Sequence, residues 1–171
     1  LIEHEGIRPD VMIGHSFGEI SALTVAGVWE LETAYEVVKA RIRAVEIVKA
    51  AGGPDLGMMS LICADGQRDA ILALVGDRVE LTNINAPGRF VLSGEKGAVK
   101  RCVAAAESCG GEARLLPIGA AFHSRFMEPA RAPFREALRA LPCAPPRIPI
   151  LSTITGEYIS PEGFTSDSIA E

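Results

Sequence analysis

The stretch Gly-His-Ser-Phe-Gly at 14–18 contains the residues of this sequence best placed to do chemistry. It follows a short apolar run, Val11–Ile13, and precedes a segment with the composition of a helix. A serine between two glycines at a strand-to-helix turn is typical of a nucleophile elbow. The N-terminus of the following helix stabilises negative charge beside that serine. The pattern predicts Ser16 as the nucleophile of an acyl transfer, with a turn that carries no chemistry as the alternative.

A serine hydroxyl is a weak nucleophile until a base removes its proton, and the sequence has three histidines. His4 lies in a polar segment, where we expect it to be exposed. We interpret His15 as a packing or hydrogen-bonding residue, because neighbouring side chains at a sharp turn point apart. His123 follows a predicted strand and precedes a predicted helix, which places it in a loop of the kind that carries function. His123 is therefore the predicted base, with a purely structural histidine as the alternative.

Arg41 is the third residue that could do chemistry. The predicted helix over 31–51 places it on a face that is otherwise apolar. The residues of that face are Ala34, Val38, Arg41, Val45 and Val48. An unpaired buried charge is costly, so the guanidinium needs a partner. It either binds a substrate carboxylate in a bidentate manner, pairs with a structural acid, or extends to the edge of the helix.

Composition limits the function classes. The chain has 171 residues, of which 48% are apolar and 23% charged, enough for one sizeable core or a core with a small subdomain. A net charge of −5 argues against nucleic acid as the partner. The four cysteines lack metal-ligand spacing to each other and to the histidines, so we expect free thiols and no metal site. Without a recognisable membrane span or signal peptide, we expect a cytoplasmic protein.

The predicted elements describe an α/β fold in two parts. A helix (1–6), a strand (11–13) and two helices (17–26 and 31–51) come first, and a helix (126–141) and a strand (148–152) come last. The central elements are strands at 58–62, 79–82, 90–92 and 114–118 and helices at 68–75 and 95–108. Their order, βαββαβ, is typical of a ferredoxin-like unit. The breaker Gly-Gly-Pro-Asp at 52–55 marks the boundary before it.

Several motifs together resemble the malonyl-CoA:acyl-carrier-protein transacylase family, which includes the acyltransferase domains of polyketide and fatty-acid synthases. They are the elbow followed by Glu19, Arg41 in the next helix, and Ala-Phe-His-Ser at 121–124. The stretches Asn-Ile-Asn-Ala-Pro-Gly at 83–88, Val-Leu-Ser-Gly at 91–94 and Pro-Ile-Leu-Ser-Thr-Ile-Thr-Gly at 149–156 extend the resemblance over nearly the whole chain. It implies an α/β-hydrolase-like large subdomain, 1–55 and 119–171, with a ferredoxin-like subdomain, 56–118, inserted.

The resemblance also implies the roles of the site residues. Ser16 would be the nucleophile and His123 the general base, with a backbone carbonyl near Ser152 in place of an aspartate as the group that orients the imidazole. Arg41 matches the arginine that binds the malonyl carboxylate, and the Phe17 N–H matches one oxyanion donor.

Two phenylalanines bear on acyl selectivity. Phe122, directly before the histidine, is typical of malonyl-selective members, because its ring crowds an α-methyl group. An added methyl changes packing by only about 1–3 kcal/mol, so this preference is incomplete. Phe17 also resembles the malonyl pattern.

The implied substrates are malonyl-CoA and the phosphopantetheine thiol of an acyl carrier protein, with no bound cofactor and with flanking synthase domains as further partners. In the family a preceding glycine-rich segment with a glutamine completes the oxyanion hole. The sequence begins at Leu1 and lacks that segment, so we expect it to be a fragment of the full domain. Two alternatives stay open. One is an acyl hydrolase or thioesterase with Asp55 or Asp77 orienting His123, and the other is a non-catalytic docking fragment of a synthase.

Overall fold

The computed structural model describes residues 3–159 and Thr165. Within them the helices are α1 (Gly18–Val25), α2 (Leu31–Ala50), α3 (Asp65–Ala73), α4 (Lys96–Ser108) and α5 (Glu128–Arg139). The strands are β1 (Met12–Ile13), β2 (Leu56–Ile62), β3 (Val79–Ala86), β4 (Arg89–Glu95), β5 (Glu112–Leu115), β6 (Ile150–Leu151) and β7 (Tyr158–Ile159). Short 3-10 helices cover Glu3–Glu5, Gly76–Arg78 and Arg125–Met127.

By its contacts the chain divides into two compact units. The first comprises Leu1–Ala44 and Ala132–Glu171, and the second comprises Val45–Arg131. Both divisions fall inside helices, α2 and α5, whereas the sequence placed its subdomain limits in the loops at 55/56 and 118/119. Each of the two helices therefore belongs partly to one unit and partly to the other, and the subdomain limits themselves stay a prediction.

The first unit contains a small mixed sheet with the strand order β1-β6-β7. β1 pairs with β6 in parallel, and β6 pairs with β7 in an antiparallel manner. Its buried core includes Leu23 of α1, Trp29, Val37 of α2, Leu138 of α5 and Ile150 of β6. The sheet and this core fix the point at which β1 ends and α1 begins.

The end of α1 is closed by a Schellman motif, which turns the chain back toward the core. The N–H of Val28 donates to the carbonyl of Leu23 at 2.9 Å, and the N–H of Gly27 donates to the carbonyl of Thr24 at 3.0 Å. Gly27 has a φ of 84°, a left-handed conformation that glycine adopts without steric cost. The turn leads directly to Trp29, which is 4% exposed.

The second unit confirms the ferredoxin-like prediction. Its four strands have the order β3-β4-β2-β5, and every neighbouring pair is antiparallel. With α3 after β2 and α4 after β4, the chain order is βαββαβ. Residues from both helices and from the sheet form one core, which includes Met59, Leu61, Leu92, Val99 and Cys102, all of them completely buried.

The structure corrects several element limits. The strand predicted at 114–118 is β5, Glu112–Leu115, because Pro117 has no N–H to continue the ladder. The strand predicted at 148–152 shortens to Ile150–Leu151, after Pro149. The helix predicted over 126–141 begins as a 3-10 turn and becomes α5 only at Glu128. The helix predicted over 1–6 is the 3-10 turn Glu3–Glu5, with its first two residues outside the described part of the chain.

One strand, β7, was missed altogether. It has only two residues, Tyr158–Ile159, and pairs with β6. A two-residue strand has no periodicity that a sequence pattern could reveal.

Candidate active site

Ser16 lies in the turn between β1 and α1, in the strand–turn–helix context predicted for it. The N–H of Gly18 donates to the carbonyl of His15 at 2.9 Å, and the N–H of Glu19 donates to the carbonyl of Ser16 at 3.0 Å. Ser16 has a φ of 54°, a left-handed conformation that costs a non-glycine residue on the order of 1–3 kcal/mol. Such a cost persists only where the surroundings enforce it, and residues held this way cluster at functional sites. The turn is therefore a nucleophile elbow in its backbone geometry.

The two glycines of the elbow are not equivalent. A Cβ on Gly14 would overlap the backbone of Glu19, at 2.6 Å from its nitrogen, whereas a Cβ on Gly18 would meet nothing within 4 Å. Close approach of β1 and α1 therefore requires glycine at position 14 only.

This difference predicts the effects of two matched substitutions. Gly14→Ala should lower the free energy of unfolding by about 1–3 kcal/mol, because the added methyl group would meet backbone atoms that can only move together with α1. Gly18→Ala should leave that free energy unchanged or slightly raise it, since alanine favours the helix. Thermal unfolding of the native polypeptide and the two variants measures both effects, and equal melting temperatures for all three would contradict the steric argument.

The Phe17 amide is the predicted oxyanion donor of the turn. Within residues 3–159, the backbone hydrogen bonds that close the turn use the N–H groups of Gly18, Glu19 and Ile20. The Phe17 N–H comes directly after the Ser16 carbonyl, at the positive end of α1. On the other side of the elbow, the Thr153 hydroxyl donates to the Gly14 carbonyl at 3.4 Å. The elbow is thus tied to the end of β6.

Arg41 occupies a different face of α2 from the one predicted. The buried residues of the helix are Ala34, Val37, Ala40 and Ala44. Arg41 lies beside this stripe and is half-buried. The face predicted from the sequence is one position out of register with this stripe, since burial falls on Val37 and Ala40 in place of Val38 and Arg41. The guanidinium therefore stands at the edge of the core and not within it.

Phe17 and Glu19 flank Arg41 within the first unit. The guanidinium carbon lies 5.7 Å from the centroid of the Phe17 ring, within cation–π range. Burial lowers the pKa of Arg41, and the negative charge of Glu19 opposes this effect. Burial likewise raises the pKa of Glu19, and the positive charge of Arg41 opposes that shift. A partly desolvated cation therefore stands beside the elbow, with an acid and an aromatic ring as neighbours.

His123 lies in the loop between β5 and the 3-10 turn Arg125–Met127, as its predicted loop position requires. It is exposed and has a φ of 63°. The Ser124 hydroxyl donates to the Ala121 carbonyl at 2.5 Å and closes the turn around it. Phe122, in the same turn, is half-buried.

The predicted site residues fall in both units. Ser16, Phe17 and Arg41 belong to the first unit, and Phe122 and His123 belong to the second. The structure brings Phe17 and Arg41 together. The pairing of Ser16 with His123 stays a prediction. Ser16 and His123 share one property, since they are the positive-φ residues other than glycine within the described part of the chain.

Two of the groups predicted to orient the His123 imidazole have other contacts. The Ser152 carbonyl accepts the Gly156 N–H at 3.0 Å, which leaves one of its two lone pairs for a further donor. Asp77, considered as an acid for a hydrolase, contacts Arg125 through both its carbonyl and its carboxylate.

Sequence reasoning gave no role to two charged residues near these loops, Glu19 and Arg125. Glu19 carries a usable signal, because it follows the elbow directly and falls in the first turn of α1. Arg125 carries none, since its partner Glu80 is 45 positions away along the chain.

An open apolar cleft of about 790 Å³ lies between α1 and α2. Phe17, Ile20, Val25, Leu31 and Tyr35 are among the residues that line it, and neither Ser16 nor Arg41 does. Phe17 is 50% exposed, and the same side chain that lines the cleft also contacts Arg41. The volume of the cleft therefore gives no measure of the acyl group that Ser16 could accept.

Residues 3–159 and Thr165 lack two further features. No helix of this part is long and apolar enough to cross a membrane. The same residues contain no group of three or more histidine, cysteine, aspartate and glutamate side chains able to hold a metal ion.

Comparison with known proteins gives the family. Residues 1–168 match the acyl transferase domain family. Polyketide synthase GfsE of Streptomyces halstedii is 38% identical over 93% of this chain, which corresponds to 4% of that synthase. The chain thus spans a small part of the curated relatives it matches.

Solved structures agree with this result. The acyltransferase domain from the second module of the salinomycin polyketide synthase is 34% identical and superposes with a TM-score of 0.81 over 100% of this chain and 39% of that one. A malonyl-transacylase solved in complex with its type II polyketide synthase acyl-carrier protein is 27% identical, with a TM-score of 0.81 over 99% of this chain and 54% of that one. The chain therefore belongs to the acyl transferase domain family, and its α/β fold with a ferredoxin-like unit is the fold of those domains.

Proposed function

We propose that this protein transfers a malonyl group from malonyl-CoA to the phosphopantetheine thiol of an acyl carrier protein, through a malonyl ester on Ser16. The observation that carries this proposal is the half-buried guanidinium of Arg41 beside the elbow residue Phe17. An acyl group without a charge needs no such cation. A malonyl group ends in a carboxylate, whose two oxygens match the planar fork of a guanidinium.

The first half-reaction forms the acyl-enzyme. His123 takes the proton of the Ser16 hydroxyl, and the serine oxygen attacks the thioester carbonyl of malonyl-CoA. The N–H of Phe17, at the N-terminus of α1, donates to the oxyanion that develops. The carbon–sulfur bond breaks, and His123 returns the proton to the CoA thiolate. Arg41 binds the malonyl carboxylate throughout and holds the carbonyl at Ser16.

The second half-reaction reverses these steps with a different thiol. His123 takes the proton of the phosphopantetheine thiol, and the sulfur attacks the ester carbonyl of malonyl-Ser16. The ester bond breaks, and the proton passes from His123 to the Ser16 oxygen. No bound cofactor takes part, since the thioesters of CoA and of the carrier protein supply the chemistry.

The acyl carrier protein and flanking synthase domains are the proposed partners. Support for the first comes from the related malonyl-transacylase, which was solved with its acyl-carrier protein bound. Support for the second comes from the polyketide synthase GfsE, of which the matched region is 4%. Polyketide or fatty-acid biosynthesis is the corresponding setting.

Mass spectrometry of the native polypeptide tests the proposal. After incubation with an equimolar mixture of malonyl-CoA, methylmalonyl-CoA and acetyl-CoA, we expect the mass of one malonyl group on the peptide that contains Ser16. Added holo carrier protein should then remove that group and gain it. Loss of the group to water with no gain by any carrier protein would favour an acyl hydrolase. Absence of any acyl-enzyme would contradict the proposal and leave a docking fragment.

Phe122 predicts how the selectivity can be changed. Phe122→Ser should raise the kcat/KM for methylmalonyl-CoA relative to malonyl-CoA about 10-fold, because loss of the half-buried ring makes room for the α-methyl group. Phe122→Leu keeps most of the side-chain volume and serves as the control, with a ratio near that of the wild type. Competition between the two thioesters measures the ratio, and an unchanged ratio in Phe122→Ser would exclude Phe122 as a selectivity residue.

A further inference from the structure

Arg125 follows the His123 turn and is held by two acidic residues of the same unit. Its backbone N–H donates to Oε2 of Glu80 at 3.1 Å, and its Nη1 lies 3.1 Å from Oε1 of the same carboxylate. Its Nη2 donates to the carbonyl of Asp77 and lies 3.6 Å from the carboxylate of that residue. We call these three residues the Arg125 network.

The Glu80 carboxylate joins the loop to the sheet in two ways at once. One oxygen accepts the backbone N–H that begins the 3-10 turn Arg125–Met127, and the other binds the guanidinium. Glu80 itself is fixed in β3, where it pairs with Ser93 of β4. The guanidinium also lies 5.1 Å from the centroid of the Phe126 ring, within cation–π range. The main chain just after His123 is thereby attached to the ferredoxin-like sheet.

The backbone of His123 explains why such an attachment matters. A left-handed conformation in a residue other than glycine relaxes unless the chain on both sides is fixed. Before His123, the chain is fixed at Ala121, which is completely buried and whose carbonyl accepts a hydrogen bond from the Ser124 hydroxyl. After His123, the Arg125 network holds the chain.

The exposure of its side chains argues against a role of the Arg125 network in global stability. The side chain of Arg125 is 51% exposed, that of Asp77 86% and that of Glu80 29%. Ion pairs this open to solvent add little to the free energy of folding. Their geometry can still matter for a reaction, since a misplacement of about 1 Å can cost a reacting group on the order of 100-fold in rate.

We infer that Arg125, held by Glu80 and Asp77, is a positioning residue that fixes the His123 turn for proton transfer. The inference rests on the proposed function, in which His123 is the base. Arg125 touches neither substrate nor reacting atoms in this role. It acts through the main chain that it shares with His123.

Pre-steady-state kinetics of the native polypeptide test the inference. In Arg125→Ala and Glu80→Ala, the rate of CoA release in the first turnover should fall about 10-fold, while the burst amplitude and the KM for malonyl-CoA stay near the wild-type values. Glu80→Gln should lose less, because its amide oxygen still accepts the Arg125 N–H. The double variant Arg125→Ala/Glu80→Ala should lose less than the product of the two single losses, since both single variants remove the contact between the guanidinium and the Glu80 carboxylate.

Arg131→Ala is the matched control, because Arg131 makes an exposed ion pair with Glu128 at 3.7 Å on α5, away from the turn. It should keep the wild-type burst rate. Burst rates within 2-fold of the wild type in Arg125→Ala would overturn the inference. A burst amplitude that falls in proportion to the burst rate would also overturn the inference, because that result indicates unfolded protein and not a misplaced His123.

Hydrogen exchange separates failure of this inference from failure of the proposed function. In Glu80→Ala, the amides of 121–127 should exchange faster while those of β2 and β4 keep their protection, whether or not the protein forms a malonyl-enzyme. Unchanged exchange in 121–127 would overturn the positioning role itself. Faster exchange of 121–127 in Glu80→Ala, together with a wild type that never forms an acyl-enzyme, would support the attachment and reject the proposed function.

Discussion

Ser16→Ala should abolish the malonyl-enzyme and lower the rate of carrier-protein loading by at least about 1,000-fold. The substitution removes the atom of this protein that carries the acyl group in the proposed mechanism, and losses of this size or greater follow removal of a nucleophilic serine in enzymes that use one. The elbow itself should survive, although alanine must adopt the left-handed φ of 54° in place of serine. Intact-mass measurement after incubation with malonyl-CoA detects the missing ester, and transfer of labelled malonyl to the carrier protein gives the rate.

Ser21→Ala provides the matched control, since Ser21 is an exposed serine of α1 in the same unit. It should acylate and transfer like the wild type. A malonyl ester at full stoichiometry in Ser16→Ala would assign the nucleophile to another residue. Equal melting temperatures of the two variants would show that any difference in rate comes from chemistry.

Local signals explain which parts of the structure the sequence predicted well. The elbow depends on residues within five positions of one another, and its strand, turn and helix all form where the pattern places them. The ferredoxin-like unit also follows from local patterns, because short apolar strands and two amphipathic helices alternate in a fixed order. In both cases the information lies within a window that spans one or two elements.

The face of α2 was harder to predict. Alanine and valine are both apolar, so the sequence offered two adjacent stripes with helical spacing. The structure buries the stripe that contains Ala34, Val37 and Ala40. Only the packing partners of a helix decide such a choice, and these come from distant parts of the chain.

The Arg125 network could not have been found from the sequence. Glu80 and Arg125 are ordinary charged residues at a strand and after a loop, and their contact spans 45 positions. The same reasoning applies to Glu19, whose neighbour Arg41 lies on the next helix. Charged pairs between elements depend on tertiary placement, which residue spacing does not contain. The roles of Ser16 and His123 as a dyad stay predictions for the same reason.

Arg41→Ala should lower the kcat/KM for malonyl-CoA by about 100-fold and leave that for acetyl-CoA unchanged or raised. The guanidinium offers two charge-assisted hydrogen bonds to a carboxylate, each of which contributes about 1.5–3 kcal/mol, and its half-exposed position reduces their sum. Arg41→Lys should fall between the wild type and Arg41→Ala, because an ammonium keeps the charge and loses the planar fork. Initial rates with the two thioesters measure this selectivity directly.

The comparison between thioesters separates recognition from folding. Removal of Arg41 also removes the positive charge that opposes the effect of burial on the pKa of Glu19. The negative charge of the half-buried Glu19 would then be less well compensated by positive charge. That structural effect acts on both substrates equally, whereas loss of a carboxylate contact acts on malonyl-CoA alone. Arg43→Ala, an exposed arginine of the same helix, should change neither rate. Parallel losses with malonyl-CoA and acetyl-CoA in Arg41→Ala would assign Arg41 to structure, with Glu19 as its partner, and would remove the main support for a carboxylate-bearing acyl group.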